Sequence, residues 1–263
     1  MVTISGHWTI TSGRPVIISG HRATTAGARR NVSGYPVTSS VPQTITSLRG
    51  LIQTSLQIKN CCIFDVLKRY MIEQIKSKLQ TSINLKTTLL SSKEILGTIE
   101  KITQEIVACY KHDGKVLWCG NGGSAADAQH LAAELSGRYY YDRPPLFSEA
   151  LHVNTSYITA VANDYSYDEI YARLVRAMGR KGDVLIGLST SGNSANVIKA
   201  LNVANEIGMV TVAFTGETGG KMKDACKYLV NIPSKDTPRI QECHMLIGHT
   251  MCELVEAALF PQK

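Results

Sequence analysis

The sequence lacks the cysteine spacing of a disulfide framework or a zinc finger. Its seven cysteines are an odd number, Cys61 and Cys62 are adjacent, and no two cysteines form a C-x-x-C pair. This usage is typical of reduced thiols, so we expect a cytoplasmic protein.

The sequence also lacks a membrane segment. No stretch approaches the roughly 18 consecutive apolar residues of a membrane-spanning helix. The run Val16–Ile18 is too short for the apolar core of a secretory signal. We therefore expect no membrane partner.

Acidic residues are scarce in the first part of the chain. Residues 1–70 hold eight Lys and Arg and a single acid, Asp65, which accounts for the whole net charge of +7. Residues 71–263 hold twenty basic and twenty acidic side chains. A neutral main segment argues against a nucleic-acid partner.

The same division suggests the domain organisation. Residues 1–60 are rich in Ser, Thr and Gly and show little periodicity. We expect residues 1–70 to be a basic N-terminal extension, disordered or non-native, with Met71 as a candidate start of the native chain. Residues 71–263 would then form one domain.

Nucleotide-binding motifs are absent as well, since no Walker lysine and no G-x-G-x-x-G occurs. From about residue 71 onward, helical and strand patterns alternate. Ser91 and Glu94 form a capping box before a helix that ends at Gly114. Strands are predicted at 115–119, 150–153, 183–188, 209–214 and 228–232, and later helices at 124–135, 155–163, 168–178, 195–207, 221–226 and 237–259. This alternation favours a doubly wound, open parallel α/β sheet flanked by helices.

Two loops at the carboxyl ends of predicted strands favour anion binding. The first loop has glycines for close backbone approach and Ser124 as the predicted N-cap of the next helix. The second loop is rich in hydroxyl groups and has no fixed cation, which suits a small sugar phosphate. The residues of interest are Asn121, Gly122, Gly123 and Ser124 in the first loop, and Ser189, Thr190, Ser191 and Ser194 in the second.

Acid–base or metal-ligating side chains lie on two predicted helices. His130 and Glu134 stand at i and i+4 on one helix face. Gln241 and His249 are separated by eight residues, about 80° around the helix axis, so both can point into one cleft. This set is acceptable for Zn²⁺, although spacing alone leaves the metal a candidate. His244 has a different azimuth and is interpreted as structural or surface.

Asn163 and Asp164 follow a short predicted helix. A plain turn that ends the helix explains them as well as a binding role does.

Together these motifs resemble the phosphoheptose isomerases, a branch of the sugar isomerase (SIS) domain family. The resemblance covers residues 71–263 and rests on Cys-Gly-Asn-Gly-Gly-Ser (119–124), His130 with Glu134, Ala-Asn-Asp (162–164), Ser-Thr-Ser-Gly-Asn-Ser-Ala-Asn-Val (189–197), Gly-Gly-Lys-Met (219–222) and Arg-Ile-Gln-Glu…His (239–249). Pro238 departs from the pattern, because some relatives carry an acidic residue there.

The resemblance implies a flavodoxin-like fold and a homotetramer with active sites at subunit interfaces. It also implies one Zn²⁺ per subunit, held by His130, Glu134, Gln241 and His249. Implied substrate contacts are Asn121, Gly122, Gly123, Ser124, Glu134, Asn163, Asp164, Ser189, Thr190, Ser191, Ser194 and Gln241.

The implied reaction interconverts sedoheptulose 7-phosphate and D-glycero-D-manno-heptose 7-phosphate through an enediol. It is the first step of heptose biosynthesis for bacterial surface glycans such as lipopolysaccharide. We assign Glu134 as the base at C1 and His249 as its partner. Two alternatives stay open: a non-catalytic SIS protein that binds a sugar phosphate or a replication-initiator-type partner, and an SIS isomerase of hexose or pentose phosphates.

Overall fold

The computed structural model describes residues 43–262, with side chains from residue 67 onward. The chain divides into two units between Cys61 and Cys62. The helices are α1 (Gln43–Ser91), α2 (Lys93–Lys111), α3 (Gly123–Ser136), α4 (Thr155–Asp164), α5 (Ile170–Met178), α6 (Ala195–Ile207) and α7 (Thr237–Leu259), with 3₁₀ turns at Tyr167–Glu169 and Gly220–Asp224. The strands are β1 (Val116–Gly120), β2 (Ser148–Ala150), β3 (Val184–Ser189), β4 (Val210–Thr215) and β5 (Tyr228–Asn231).

The five strands form one parallel sheet in the order β2-β1-β3-β4-β5. The chain moves outward from β1 to β2 and then returns to the other side of β1. The strand order therefore reverses between β1 and β3, where Gly120 pairs with Leu188. In open α/β sheets a ligand binds beyond the strand ends at such a reversal. The predicted fold class is confirmed.

Both faces of the sheet are covered, which explains why the central strands are apolar on both sides. Trp118 and Phe214 pack into a core shared with α2, α3 and α7. Leu117 and Leu185 face the opposite core, shared with α4, α5 and α6. All residues of β1 and β3 are buried.

Helix α1 starts earlier than the sequence suggests. We predicted helical structure from about residue 71, but α1 begins at Gln43. Residues 1–42 of the predicted extension lie outside the described residues, and its boundary at residue 70 stays a prediction. Helix α1 has low amphipathicity, so the spacing of apolar residues does not show where it starts.

The N-terminus of α2 corrects a second prediction. Ser92, not Ser91, is the N-cap, and its side chain accepts a hydrogen bond from the Ile95 amide. Ser91 is the last residue of α1 and donates to the Thr87 carbonyl instead. Ser91 and Ser92 are equally good N-caps by residue type. Ser92 is the cap because the chain changes direction there, between the end of α1 and the start of α2.

No helix within residues 43–262 is long and apolar enough to cross a membrane.

Candidate functional site

The two predicted anion loops meet at the strand-order reversal. They enclose a cavity of about 240 Å³ together with the start of α7. Most of the predicted loop residues line it: Asn121, Gly123, Ser124, Ser189, Thr190, Ser191 and Ser194, joined by Leu188, Thr237 and Gln241. A pocket rich in hydroxyl and amide groups at this position suits a phosphate group.

The second loop, residues 189–194, is held in one shape by its own hydroxyls and by a neighbouring turn. Ser189 Oγ lies 2.9 Å from Ser194 Oγ and 3.4 Å from Ser191 Oγ. Gly192 has φ +65°, and a Cβ there would lie 2.2 Å from the Gly219 carbonyl oxygen. Only glycine fits this contact, so the sequence Ser-Gly-Asn seats the loop against the Gly219–Gly220 turn.

The first loop differs from the prediction in its cap. The N-cap of α3 is Gly122, with φ +56° and no side-chain cap. Ser124 is buried inside the first turn and lines the cavity from there. A glycine with positive φ turns the chain sharply into the helix. The Ser124 and Ala125 amides donate to the Asn121 and Gly122 carbonyls at 3.0 and 3.1 Å, and the Gly123 amide has no backbone acceptor within the described residues.

Gly123 has a separate steric role. A Cβ at this position would lie 2.5 Å from Gln241 Nε2, so the Gln241 side chain occupies the space that a larger residue would fill. The glycine therefore brings α7 against the start of α3.

A three-residue cluster of metal-ligand type lies farther along α3 and α7. His130 Nε2 is 2.9 Å from His249 Nε2 and 3.1 Å from Glu134 Oε1. One ligand atom from each of the three residues falls within 4.8 Å of the others. Tetrahedral zinc ligands lie about 3.3 Å apart, so the nitrogen and oxygen donors are close to the required spacing. The chemistry and convergence of these donors fit Zn²⁺.

Gln241 connects the two parts of the site. It lines the anion cavity and also a cleft of about 600 Å³, which it shares with His249 and Pro238. The expectation that Gln241 and His249 face one cleft therefore agrees with the structure. Of the three cluster residues, His249 lines this cleft, whereas His130 and Glu134 do not.

The last turn of α3, which carries Glu134, is fixed by Arg143. The Arg143 guanidinium donates to the carbonyl oxygens of Glu134 and Leu135 at 3.0 and 2.7 Å. It also pairs with Glu256 at 3.0 Å, and both side chains are almost fully buried. This pair ties the end of α3 to α7 and so holds the two halves of the cluster in register.

Asn163 and Asp164 lie apart from these groups. Both are at the end of α4, where Asn163 Nδ2 donates to Asp164 Oδ1 at 2.9 Å. Neither lines the cavity or the cleft formed by the described residues of this chain.

The sequence analysis did not single out Asp127. This residue lines the cleft one turn before His130, and its Oδ2 has no hydrogen-bond partner within residues 67–262. Burial raises the pKa of the Asp127 carboxyl, and His130 opposes the rise. Its spacing of three residues from His130 is the signal that could have identified it.

Comparisons with known proteins agree with the geometry. The SIS domain family model matches residues 84–216. The phosphoheptose isomerase of Aneurinibacillus thermoaerophilus is 50% identical over 193 residues, which are 73% of this chain and 98% of that protein. The Mycobacterium tuberculosis phosphoheptose isomerase is 49% identical over 182 residues, 69% of this chain and 93% of that protein.

Solved structures give the same result. The phosphoheptose isomerase from Neisseria gonorrhoeae is 43% identical with a TM-score of 0.66, covering 71% of this chain and 99% of that chain. The Francisella tularensis phosphoheptose isomerase has a TM-score of 0.67 at 34% identity, covering 70% of this chain and 97% of that chain. Since relatives of this similarity are matched over almost their whole length, the chain belongs to the phosphoheptose isomerases of the SIS domain family.

Proposed function

We propose that this chain interconverts sedoheptulose 7-phosphate and D-glycero-D-manno-heptose 7-phosphate. The observation that supports the proposal most directly is that one side chain, Gln241, lines two adjoining spaces. Gln241 borders both the anion cavity and the cleft that contains His249. A phosphorylated sugar can therefore place its phosphate in one part and its carbonyl end in the other.

The chemistry needs a base and an acid but no redox cofactor. Glu134 removes the proton from C1 of the ketose, and the electron pair of that C–H bond forms the C1=C2 bond of an enediol. His249, which lies in the same cluster as Glu134, serves as the acid–base partner at the oxygens. Return of a proton to C2 then leaves the carbonyl at C1.

The residues that would hold Zn²⁺ are His130, Glu134, Gln241 and His249. The bound ion would polarise the carbonyl and stabilise the enediolate charge. Glu134 has two carboxylate oxygens, and Oε1 is the one close to His130. Its other oxygen is available for the C1 proton, so a ligand role and a base role are compatible.

The phosphate supplies binding energy without taking part in the reaction. We assign it to the hydroxyls of Ser189, Thr190, Ser191 and Ser194 and to the Gly123 amide at the start of α3. Contacts to a non-reacting group position C1 and C2 against Glu134 and so lower the barrier. The contacts implied for Gly122, Asn163 and Asp164 belong to the same proposal.

The proposed assembly is a homotetramer with active sites at subunit interfaces. Helix α1 supports it with a stripe of exposed apolar side chains: Ile72, Ile75, Leu79, Ile83 and Leu90. Leu90 is 74% exposed, which is unusual for a leucine beside a core. A second copy of the chain would cover such a stripe.

We place the protein in the cytoplasm, in the synthesis of heptoses for bacterial surface glycans such as lipopolysaccharide. The five described cysteines, all free thiols, support a reducing compartment. We also propose that residues 1–70 are an extension outside the catalytic domain, because the relatives match only about three quarters of the chain.

The test is incubation with sedoheptulose 7-phosphate, with and without a chelator, while NMR follows formation of the aldose. Chelator-sensitive turnover would support both the isomerase and the metal. Turnover that is unchanged by the chelator would indicate that Glu134 and His249 catalyse the reaction without the ion. Binding of the sugar phosphate without turnover would favour the non-catalytic alternative, and selective turnover of a hexose or pentose phosphate would change the substrate.

A further inference from the structure

Asn196 forms a reciprocal amide pair with Asn121 across the two loops of the site. Asn121 Nδ2 donates to Asn196 Oδ1 at 2.9 Å, and Asn196 Nδ2 donates back to Asn121 Oδ1 at 2.9 Å. Asn196 is in the first turn of α6 and is 2% exposed. Asn121 follows β1 and lines the anion cavity.

A main-chain group fixes the orientation of the pair. The Val197 amide donates to Asn196 Oδ1 at 2.9 Å. A backbone N–H is always a donor, so the Asn196 oxygen must face it. The Asn196 NH₂ group must then face Asn121, and Asn121 must turn its oxygen toward that group.

A second donor fills the remaining acceptor capacity of Asn121. The hydroxyl of Tyr167, in the 3₁₀ turn before α5, donates to Asn121 Oδ1 at 3.1 Å. The two lone pairs of that oxygen are then occupied by Asn196 and Tyr167. One N–H of Asn121 Nδ2 is left, and no described group accepts from it.

We propose that Asn196 is a positioning residue that makes Asn121 a pure hydrogen-bond donor toward the anion pocket. Tyr167 assists by occupying the second lone pair. Asn121 then offers an N–H to a phosphate oxygen and no carbonyl oxygen that would repel it. The inference rests on the proposed function, in which this pocket holds the substrate phosphate.

The pair also explains the cost of the opposite orientation. If Asn121 alone turned over, its NH₂ would face the Asn196 NH₂ and its oxygen would face the pocket. Two hydrogen bonds would be lost at a part-buried position, and a negative dipole would point at the anion. Pre-orientation removes this loss before the ligand arrives.

The decisive variant is Asn196→Asp, which keeps the acceptor for Val197 but loses the donor to Asn121. Asn202→Asp is the matched control, since it adds the same charge at an exposed position of the same helix. Tyr167→Phe is a neutral second variant at a half-exposed side chain. The measurements are KM and kcat for sedoheptulose 7-phosphate, and the dissociation constant of inorganic phosphate by calorimetry.

We expect Asn196→Asp to raise both KM and the phosphate dissociation constant about tenfold, with kcat changing less, because a hydrogen bond to a charged group has been misdirected. Tyr167→Phe should raise both about threefold, and Asn202→Asp should leave both unchanged. In an Asn121→Ala background the Tyr167→Phe change should have no further effect, because it acts only through Asn121.

Phosphate affinity within twofold of wild type in Asn196→Asp would overturn the inference. An undiminished effect of Tyr167→Phe without Asn121 would also overturn it, since that marks a general structural role. If the wild-type protein binds phosphate but does not isomerise the sugar, the proposed reaction fails while the calorimetric comparison still decides the role of Asn196.

Discussion

At the residue scale, several proposed roles fall on the three side chains of His130, Glu134 and His249. Glu134 is one quarter exposed and His130 about half exposed, so substrate and water reach both. A carboxylate that contacts a histidine and still faces solvent is suited to proton transfer.

Glu134→Gln should bind inorganic phosphate as well as wild type but lose turnover by about 10²–10⁴-fold, because the amide cannot accept the C1 proton. Steady-state kinetics and phosphate calorimetry measure the two effects separately. Glu206→Gln, an exposed change at the end of α6, is the control. Near-normal activity in Glu134→Gln would remove Glu134 from the mechanism.

His244 should make the protein less stable in mild acid. It is fully buried beside Phe214, and burial lowers its pKa to about 4. Below pH 6.5 His244 is protonated in the unfolded chain, whereas in the folded chain it is protonated only near pH 4. The stabilisation is therefore complete above pH 6.5 and is lost as the pH falls toward 4.

Between pH 7 and pH 5 this residue should remove about 2 kcal/mol from the free energy of unfolding. Denaturant unfolding of wild type and His244→Gln at both pH values measures the difference, because glutamine keeps a donor for the Thr215 carbonyl. His112→Gln, an exposed change, is the control. Equal pH dependence in wild type and His244→Gln would contradict the assignment.

Residue types and spacing were enough to identify many residues of the candidate site. Glycine and hydroxyl patterns after two strands identified the loops that line the cavity. The i,i+4 spacing predicted that His130 and Glu134 lie on the same face of α3. Contacts across the fold could not be predicted in this way. Asn196 and Asn121 are 75 positions apart, and only the pairing of β1 with β3 brings them together.

At the scale of elements, α6 and α7 have the bounds that periodicity and the Pro238 signal predicted, 195–207 and 237–259. The helix starts that were wrong, at Ser91 and Ser124, had several neighbouring candidates for the cap. Local propensity does not favour Ser92 over Ser91, or Gly122 over Ser124, as an N-cap. The direction from which the chain enters each helix selects the cap.

The packing of α3 against α7 should control the metal-type cluster. A Cβ at Gly248 would lie 2.4 Å from Leu131 Cδ1, and these residues precede His249 and follow His130. Gly248→Ala should push the helices apart, lower stability by about 1–3 kcal/mol and reduce turnover by up to about 100-fold.

Enzyme kinetics, zinc titration and denaturant unfolding would test this prediction. Adding Leu131→Val should restore part of the activity, because the smaller side chain leaves room for the new Cβ at position 248. Gly97→Ala is the control, since a Cβ there meets nothing within 4 Å and should stabilise α2 by about 0.5–1 kcal/mol. Unchanged zinc affinity in Gly248→Ala would show that the helix spacing does not govern the cluster.

At the scale of the whole molecule, the catalytic domain should be separable from the proposed N-terminal extension, residues 1–70. The Aneurinibacillus thermoaerophilus phosphoheptose isomerase is matched over 98% of its length by 73% of this chain. A protein started at Met71 should keep kcat and KM within about twofold and form a tetramer. Kinetics and light scattering test this, and a large loss of activity would assign residues 1–70 to the functional unit.

Removal of the proposed Zn²⁺ should act on the molecule as well as on the reaction. The candidate ligands come from α3 and α7, so an ion bound there would join two helices that are far apart in sequence. A chelator should lower the melting temperature and abolish most turnover, and added Zn²⁺ should restore both. The melting temperature of Glu134→Gln should change less than that of wild type when the chelator or Zn²⁺ is added. An equal change in both proteins would show that the ion binds elsewhere.

The anion cavity also has a consequence for the lifetime of the protein. Its walls come from residues 121–241, so no single piece of the domain can hold the ligand alone. Ligand therefore binds only the folded chain, and at a concentration 100 times its dissociation constant it adds about 2.7 kcal/mol to stability. Proteases act on opened chains, so a cell rich in sugar phosphate should retain more of this enzyme than a starved one.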